Sequence, residues 1–196
     1  MPGVGPPGPG HYLSEMESLR GQLLIASPTL VDPNFSRTVL LVAAHDENGA
    51  LGLVLNRPSE LLVADAVERL APVCTDYERV YVGGPVEPGA VIVLAEFDDR
   101  SLAALLISGD LGLPNIEASA EMLDGGVRRA RCFAGHSGWG PGQLDAELAQ
   151  EAWILESLAP EDPWVEAGHE LWSTVLERKG GEYALVARMP LDPSVN

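Results

Sequence analysis

Lysine is almost missing from this chain of 196 residues: Lys179 is the only one, within a basic set of 12 Lys and Arg facing 29 Asp and Glu. A phosphate-cradling P-loop ends in Gly-Lys-Ser/Thr so that the lysine reaches the β and γ phosphates. Gly180 follows Lys179, so that loop is excluded. The formal net charge of −17 repels a phosphate backbone over about 8 Å, the screening length at physiological salt. Nucleic-acid affinity without sequence preference comes from neutralised phosphates, and direct nucleic-acid binding is therefore disfavoured. The densest basic patch, Arg128-Arg129-Ala130-Arg131, is expected to decorate a strand edge.

Cysteine is scarce as well. Cys74 and Cys132 form no CxxC pair and imply no disulfide framework, so buried reduced thiols are expected. Long apolar runs are absent: the longest, 38–44 and 90–95, are far too short to span a bilayer. No apolar leader opens the chain, and a cytoplasmic address without membrane association is the expectation. No cofactor is implied.

What remains is apolar content of 46%, ordinary for a globular protein. Residues 1–10 hold four Pro and four Gly and read as a disordered tail, followed by a polar lead-in to residue 20. Residues 21–196 read as a single domain. Strands are expected at 22–27, 38–44, 50–55, 79–82, 90–97, 102–108, 127–134 and 153–155, with a last one over 182–189. Asn48-Gly49 between apolar runs is a hairpin signal. Apolar spacing at Leu62, Ala66, Val67 and Leu70 predicts a short helix stopped by Pro72. A weaker helix is expected over 116–123. Pro141 suits the first position of a helix carrying Leu144, Leu148 and Ala152. A terminal helix is expected to be capped by Asp162, opened by Pro163 and closed by Arg178-Lys179-Gly180. The fold class is α/β of the α+β type, a mixed sheet with helices packed on it.

Two segments invite chemistry. The Gly-rich stretch from Gly135 to Gln143 enters a helix from a strand, like a nucleophile elbow. That motif needs Gly two residues after the Ser, and Trp139 stands there instead. The spacing Gly138-x-Gly140-x-Gly142 also misses the dinucleotide-binding pattern. Metal ligation is weakly supported: His169-Glu170 lacks the second His of a zincin, and Cys132, His136 and His45 could meet only through the tertiary fold. The other segment, 27–37, mixes turn formers with Asp32, Asn34 and Arg37. Asx residues there can bond their own backbone, and Arg37 is expected to pair with Asp32 or another carboxylate. Such a loop can also wall a pocket.

Four separated motifs, in order, give the chain a family likeness. Ile25-Ala26-Ser27-Pro28 with Asp32-Pro33-Asn34-Phe35 and Arg37-Thr38-Val39 is the first. The second runs from Gly49 through Leu55-Asn56-Arg57-Pro58, and the third is Gly83-Gly84-Pro85-Val86. Gly135 and Ser137 to Leu144, with Glu147-Leu148 and Trp153 behind, complete the set. Across about residues 20–178 the chain resembles the AlgH/YqgE family. That resemblance implies a bent mixed β-sheet forming a partial barrel flanked by helices. It carries no settled biochemical role: members have been labelled transcriptional regulators, but the fold has no established DNA-binding motif. Where the family often carries Tyr, this chain has His136, which opens a pH-sensitive role.

Three functions follow as rivals. In the first, a non-enzymatic binding or regulatory protein holds a small ligand or protein partner between the loops 27–37, 56–59, 83–86 and 135–143. Its binding residues would be Asp32, Asn34, Arg37, Asn56, Gly83, Gly84, His136, Ser137, Trp139 and Gln143. In the second, an enzyme uses His136 as acid or base near Ser137, Asp32 or Cys132. In the third, the motifs are fold determinants only. No coiled-coil heptad is present to set an oligomeric state.

Overall fold

Leucine and β-branched residues run without polar interruption at 39–42 and 23–25, a pattern suited to strands covered on both faces. The computed structural model describes residues 18–70, 73–74, 78–115, 123, 125–166 and 168–189. In it, β1 (Gln22–Ala26) lies between β2 (Val39–Asp46) and β10 (Trp153–Ser157), antiparallel to both. β2 turns into β3 (Gly49–Val54) with Asp46 opposite Gly49. The hairpin expected from Asn48-Gly49 is there, one residue earlier than the motif suggests. Glu47 and Asn48 make the turn, and Gly49 opens the strand at φ 133°. A Cβ on Gly49 would stand 2.1 Å from the Trp139 carbonyl oxygen, which explains the glycine.

The second half of the sheet is built on β9 (Val127–Trp139). One edge of β9 runs antiparallel to β6 (Val86–Phe97), with Ile92 opposite Phe133. The other edge first meets β5 (Arg79–Val82) in parallel, Tyr81 against Phe133, and then meets β3, Gly52 against Ser137. Gly135, at φ 68°, marks the switch between these partners. β4 (Pro58–Leu62) pairs with β5, while β7 (Ala103–Ser108) and β8 (Leu111–Pro114) extend the sheet beyond β6. The result is a curled, mostly antiparallel sheet, a half-barrel within a single α/β domain, as the resemblance implies.

The helices are α1 (Val63–Ala66), α2 (Gln143–Ala149), α3 (His169–Lys179) and α4 (Tyr183–Val186). α3 presses Leu171, Trp172, Val175 and Leu176 onto Leu23, Ile25, Leu41 and Phe133 on one side of the sheet. α2 delivers Leu144 to the opposite side, where Leu24, Leu40, Val42, Trp139 and Trp153 gather. A third cluster joins Val63, Val80, Phe97 and the two cysteines. Burying a leucine fully stabilises by about 1.5–3 kcal/mol, so these clusters account for the order of the fold.

Several sequence expectations are corrected. The Gly-rich stretch is strand as far as Trp139, so only Gly140 to Gly142 turn. Pro141 sits in that turn, and α2 starts at Gln143 behind Gly142 at φ 69°. Asp162 caps no long helix. It belongs to a short 3-10 turn, Asp162–Trp164, accepts the Ala159 N–H at 2.7 Å and binds Arg178 through both carboxylate oxygens. α3 begins separately at His169. Residues 182–189 hold α4 and no strand, because Gly180 and Gly181, both at positive φ, let the chain reverse onto α3. Leu62 to Leu70 yield only α1 and a 3-10 turn, Glu68–Leu70, and β4 and β8 were not anticipated. The tail at 1–10 and Pro72 lie outside the described residues, as does the helix over 116–123 apart from Leu123.

The arginine patch is central in the sheet. Arg131 is 2% exposed on β9 and pairs with Glu78 at 2.8 Å. Its guanidinium stacks 4.1 Å from the Tyr81 ring centre. Arg128 and Arg129 share Glu96 and reach Asp98 and Glu161.

Candidate functional site

The ten candidate residues divide into three groups. The first is structural by its bonds. Asn56, 3% exposed, accepts the Val39 N–H at 2.9 Å and donates to the Arg37 carbonyl at 2.9 Å, clamping the start of β2. Trp139 donates its indole N–H to Glu147 Oε2 at 2.9 Å, and Trp153 donates to the same oxygen at 2.8 Å. Gln143 spans Gly140 N–H and Glu147 Oε1. Ser137 is fully buried and donates to the Gly83 carbonyl at 3.3 Å. Arg37 stacks over Trp172 at 4.7 Å and donates to the Met189 carbonyl at 2.9 Å. Asp32, one of the carboxylates expected beside Arg37, instead has its Oδ1 on the Asn34 N–H at 2.8 Å.

His136 stands apart. Its Nδ1 is buried and makes no hydrogen bond among the described residues. The acid/base role needs a nucleophile or a carboxylate on that ring, and Ser137, the nearest hydroxyl in sequence, is spent on a carbonyl. Cys132 does not join it either: its Sγ lies 3.4 Å from Cys74 Sγ, both free and buried. Their mutual hydrogen bond holds the Cys74 thiol below its ordinary pKa and pushes Cys132 up, with burial adding to the latter. His45 Nδ1 accepts the Leu19 N–H at 3.1 Å. Among the described residues no three His, Cys, Asp or Glu could hold a metal ion together.

The third group forms a cleft. Asn34 from the first motif, Arg57 from the second, and Gly84 and Pro85 from the third line a cavity of about 70 Å³, walled by Val54 and Val82. Packing brings these loops together. The Val54 N–H donates to the Gly83 carbonyl and the Val82 N–H to the Arg57 carbonyl. Gly83 and Gly84 lie so close to β9 that added Cβ atoms would stand 2.3 Å from Gly135 O and from His136 C. The fourth loop therefore backs the cleft without lining it. Arg57 was not among the residues singled out from the sequence. Asn-Arg-Pro at a strand end reads as a turn, and only the tertiary structure shows Arg57 lining a concavity, with its Nη2 donating to the Ser36 carbonyl at 3.0 Å.

A larger groove of about 500 Å³ runs along β10, lined by Ser27, Glu151, Trp153, Lys179 and Tyr183 among others. Its cation is engaged: Lys179 Nζ donates to the Leu155 carbonyl at 2.7 Å and lies 3.5 Å from Glu156. No described helix is long and apolar enough to cross a membrane.

Fold and site thus define a curled-sheet α/β protein whose motif loops meet at a small cleft carrying a cation. The chain belongs to the AlgH-like family, whose profile matches residues 23–184. A UPF0301 protein of Streptomyces avermitilis is 40% identical over 190 residues, covering 94% of this chain and 98% of its own length. One from Thermobifida fusca is 38% identical over 190 residues, 91% of this chain and 96% of its own. The solution structure of AlgH from Pseudomonas aeruginosa superposes with a TM-score of 0.67 at 30% identity, over 91% of this chain and 98% of that one. A crystal structure from Corynebacterium diphtheriae does so with a TM-score of 0.77 at 27% identity, over 86% and 91%. The family is uncharacterised, and the likeness carries the fold without a biochemical role.

Proposed function

We propose that this chain is a non-enzymatic binding or regulatory protein of the cytoplasm, and that its ligand or partner is read at the cleft of Asn34, Arg57 and Gly84. One observation carries the reading: three motifs far apart in sequence contribute to a single concavity. Fold maintenance alone accounts for Asn56, Trp139 and Gln143, whose polar groups are used internally. It does not account for a half-buried arginine at the cleft with no carboxylate partner among the described residues. The fold-determinant reading and the binding reading therefore divide the motifs between them. The enzyme reading lacks the bond to His136 on which it depends.

A metabolite panel followed on amide NMR spectra tests the proposal. Compounds that bind should shift Asn34, Arg57 and Gly84 together. Hits confined to the β10 groove or to the Trp139–Gln143 stretch, or no hits at all, would overturn it.

A further inference from the structure

Among the described residues Arg57 lacks a counter-charge, as the exposed Arg20 and Arg188 do, but Arg57 is partly buried. In a chain of net charge −17, carboxylates are abundant, and Arg79, Arg100, Arg128, Arg129, Arg131, Arg178 and Lys179 each hold one. Arg57 is half-buried and holds none among the described residues; its one bond goes to a neutral carbonyl. The loop's own acid, Asp32, is directed to the Asn34 backbone N–H. A partly desolvated cation left without an anion is an unfavourable arrangement that a bound anion relieves.

The rest of the cleft suits such an anion. The Asn34 carboxamide and the Gly84 N–H make no hydrogen bond among the described residues, so both are available as donors. Gly84, at φ 153°, carries no Cβ because the β9 backbone at His136 fills that space, which holds its peptide against the sheet. Val54, Val82 and Pro85 supply apolar walls, which strengthen charge–charge attraction by excluding water. The cavity, about 70 Å³, is small and suits one compact oxyanion group. A planar guanidinium matches carboxylate and phosphate oxygens in spacing and direction.

We propose that this cleft binds the terminal oxyanion of a small molecule, a carboxylate or a phosphate group, with Arg57 as its charge partner and Asn34 and Gly84 as neutral donors. The inference rests on the reading of the cleft as a binding site. The rest of the ligand lies outside the cavity, toward solvent.

Titrations of the isotope-labelled protein with acetate, inorganic phosphate and acetamide, at ionic strength held constant with chloride, test it. Acetate or phosphate should produce saturable shifts at the Gly84 amide and the Arg57 side chain, and the tighter of the two identifies the class. Arg57→Gln should weaken that ion about tenfold, the loss of one charge-assisted contact. Asn34→Ala, at an exposed position, should weaken it by a smaller factor and guards against a folding defect in the first variant. Saturation with unchanged affinity in Arg57→Gln would overturn the proposal. So would acetamide binding as well as acetate, which leaves a binding cleft without anion selectivity. If none of the three probes shifts these resonances up to about 100 mM, the anion proposal falls. The metabolite panel then decides separately whether the cleft binds anything.

Discussion

At the scale of single residues, Glu147 ties the end of β9 to α2 and β10 through three accepted hydrogen bonds. One of its oxygens accepts from both Trp139 and Trp153, which are 7% and 5% exposed and meet edge to face at 6.1 Å. The other accepts from Gln143. Leaving a buried donor unsatisfied costs about 1–3 kcal/mol, and two donors lose their acceptor at once when this carboxylate is removed. Glu147→Ala should therefore lower unfolding stability by about 2–4 kcal/mol in urea, with a red shift of tryptophan emission in the native state. Glu147→Gln keeps one acceptor oxygen and should lose about half as much. Equal stability of the wild type and Glu147→Ala would mean that water replaces the carboxylate without penalty. The Trp139 to Gln143 stretch of this chain would then need another explanation. Arg57 is the opposite case, a side chain whose removal should leave stability almost unchanged and alter binding.

At the scale of elements, β9 joins the two halves of the half-barrel, and Arg131 fixes it to the surrounding layers. Besides Glu78 and the Tyr81 ring, its guanidinium donates to the carbonyls of Trp164 and Val165, each at 3.2 Å. Tyr81 in turn ionises above the ordinary phenol range, because burial opposes the phenolate more strongly than Arg131 favours it. Breaking a buried ion pair from one side costs about 3–5 kcal/mol, since the remaining charge is stranded. Arg131→Met should show a loss of that order in thermal or urea unfolding, and Arg131→Met with Glu78→Gln should recover part of it. Additive losses in the double variant would rule out the pair as the cause.

Which elements were legible in the sequence follows from the same packing. β1 and β2 carry continuous apolar runs because both of their faces are covered, and such runs are visible without any neighbour. β4, Pro-Ser-Glu-Leu-Leu, and β8, Leu-Gly-Leu-Pro, carry too little pattern, since their state is set by pairing with β5 and β6. The end of β9 was hidden for a different reason. Its glycines look like turn formers, but Gly138 pairs with Leu51 in the sheet and Gly135 lets β9 pass close to Gly84 and Val86. Asn34 and Gly84 could be singled out as polar or permissive loop residues. Arg57 could not, because what distinguishes it is partial burial with no carboxylate partner among the described residues, a property of the folded chain.

At the scale of the whole molecule, charge decides what the protein can approach. Non-specific duplex binding requires several free cations on one face, with affinity falling steeply as salt rises. The formal charge is −17, and Arg128, Arg129 and Arg131, the densest basic patch in the sequence, are committed to Glu96, Asp98, Glu161 and Glu78. Releasing them for phosphates would expose those four carboxylates to the same backbone. A regulatory role for this chain should then run through a small ligand or a protein partner, with no direct contact to DNA. The expected outcome is that fluorescence anisotropy of a labelled duplex at about 150 mM salt stays flat up to about 100 µM protein, the weak end of ordinary non-specific affinity. A saturating curve in the micromolar range, shifting to weaker binding with added salt, would contradict this. It would show that phosphates can displace the carboxylates of the β9 cluster, and Arg128→Gln would then be the variant to abolish it.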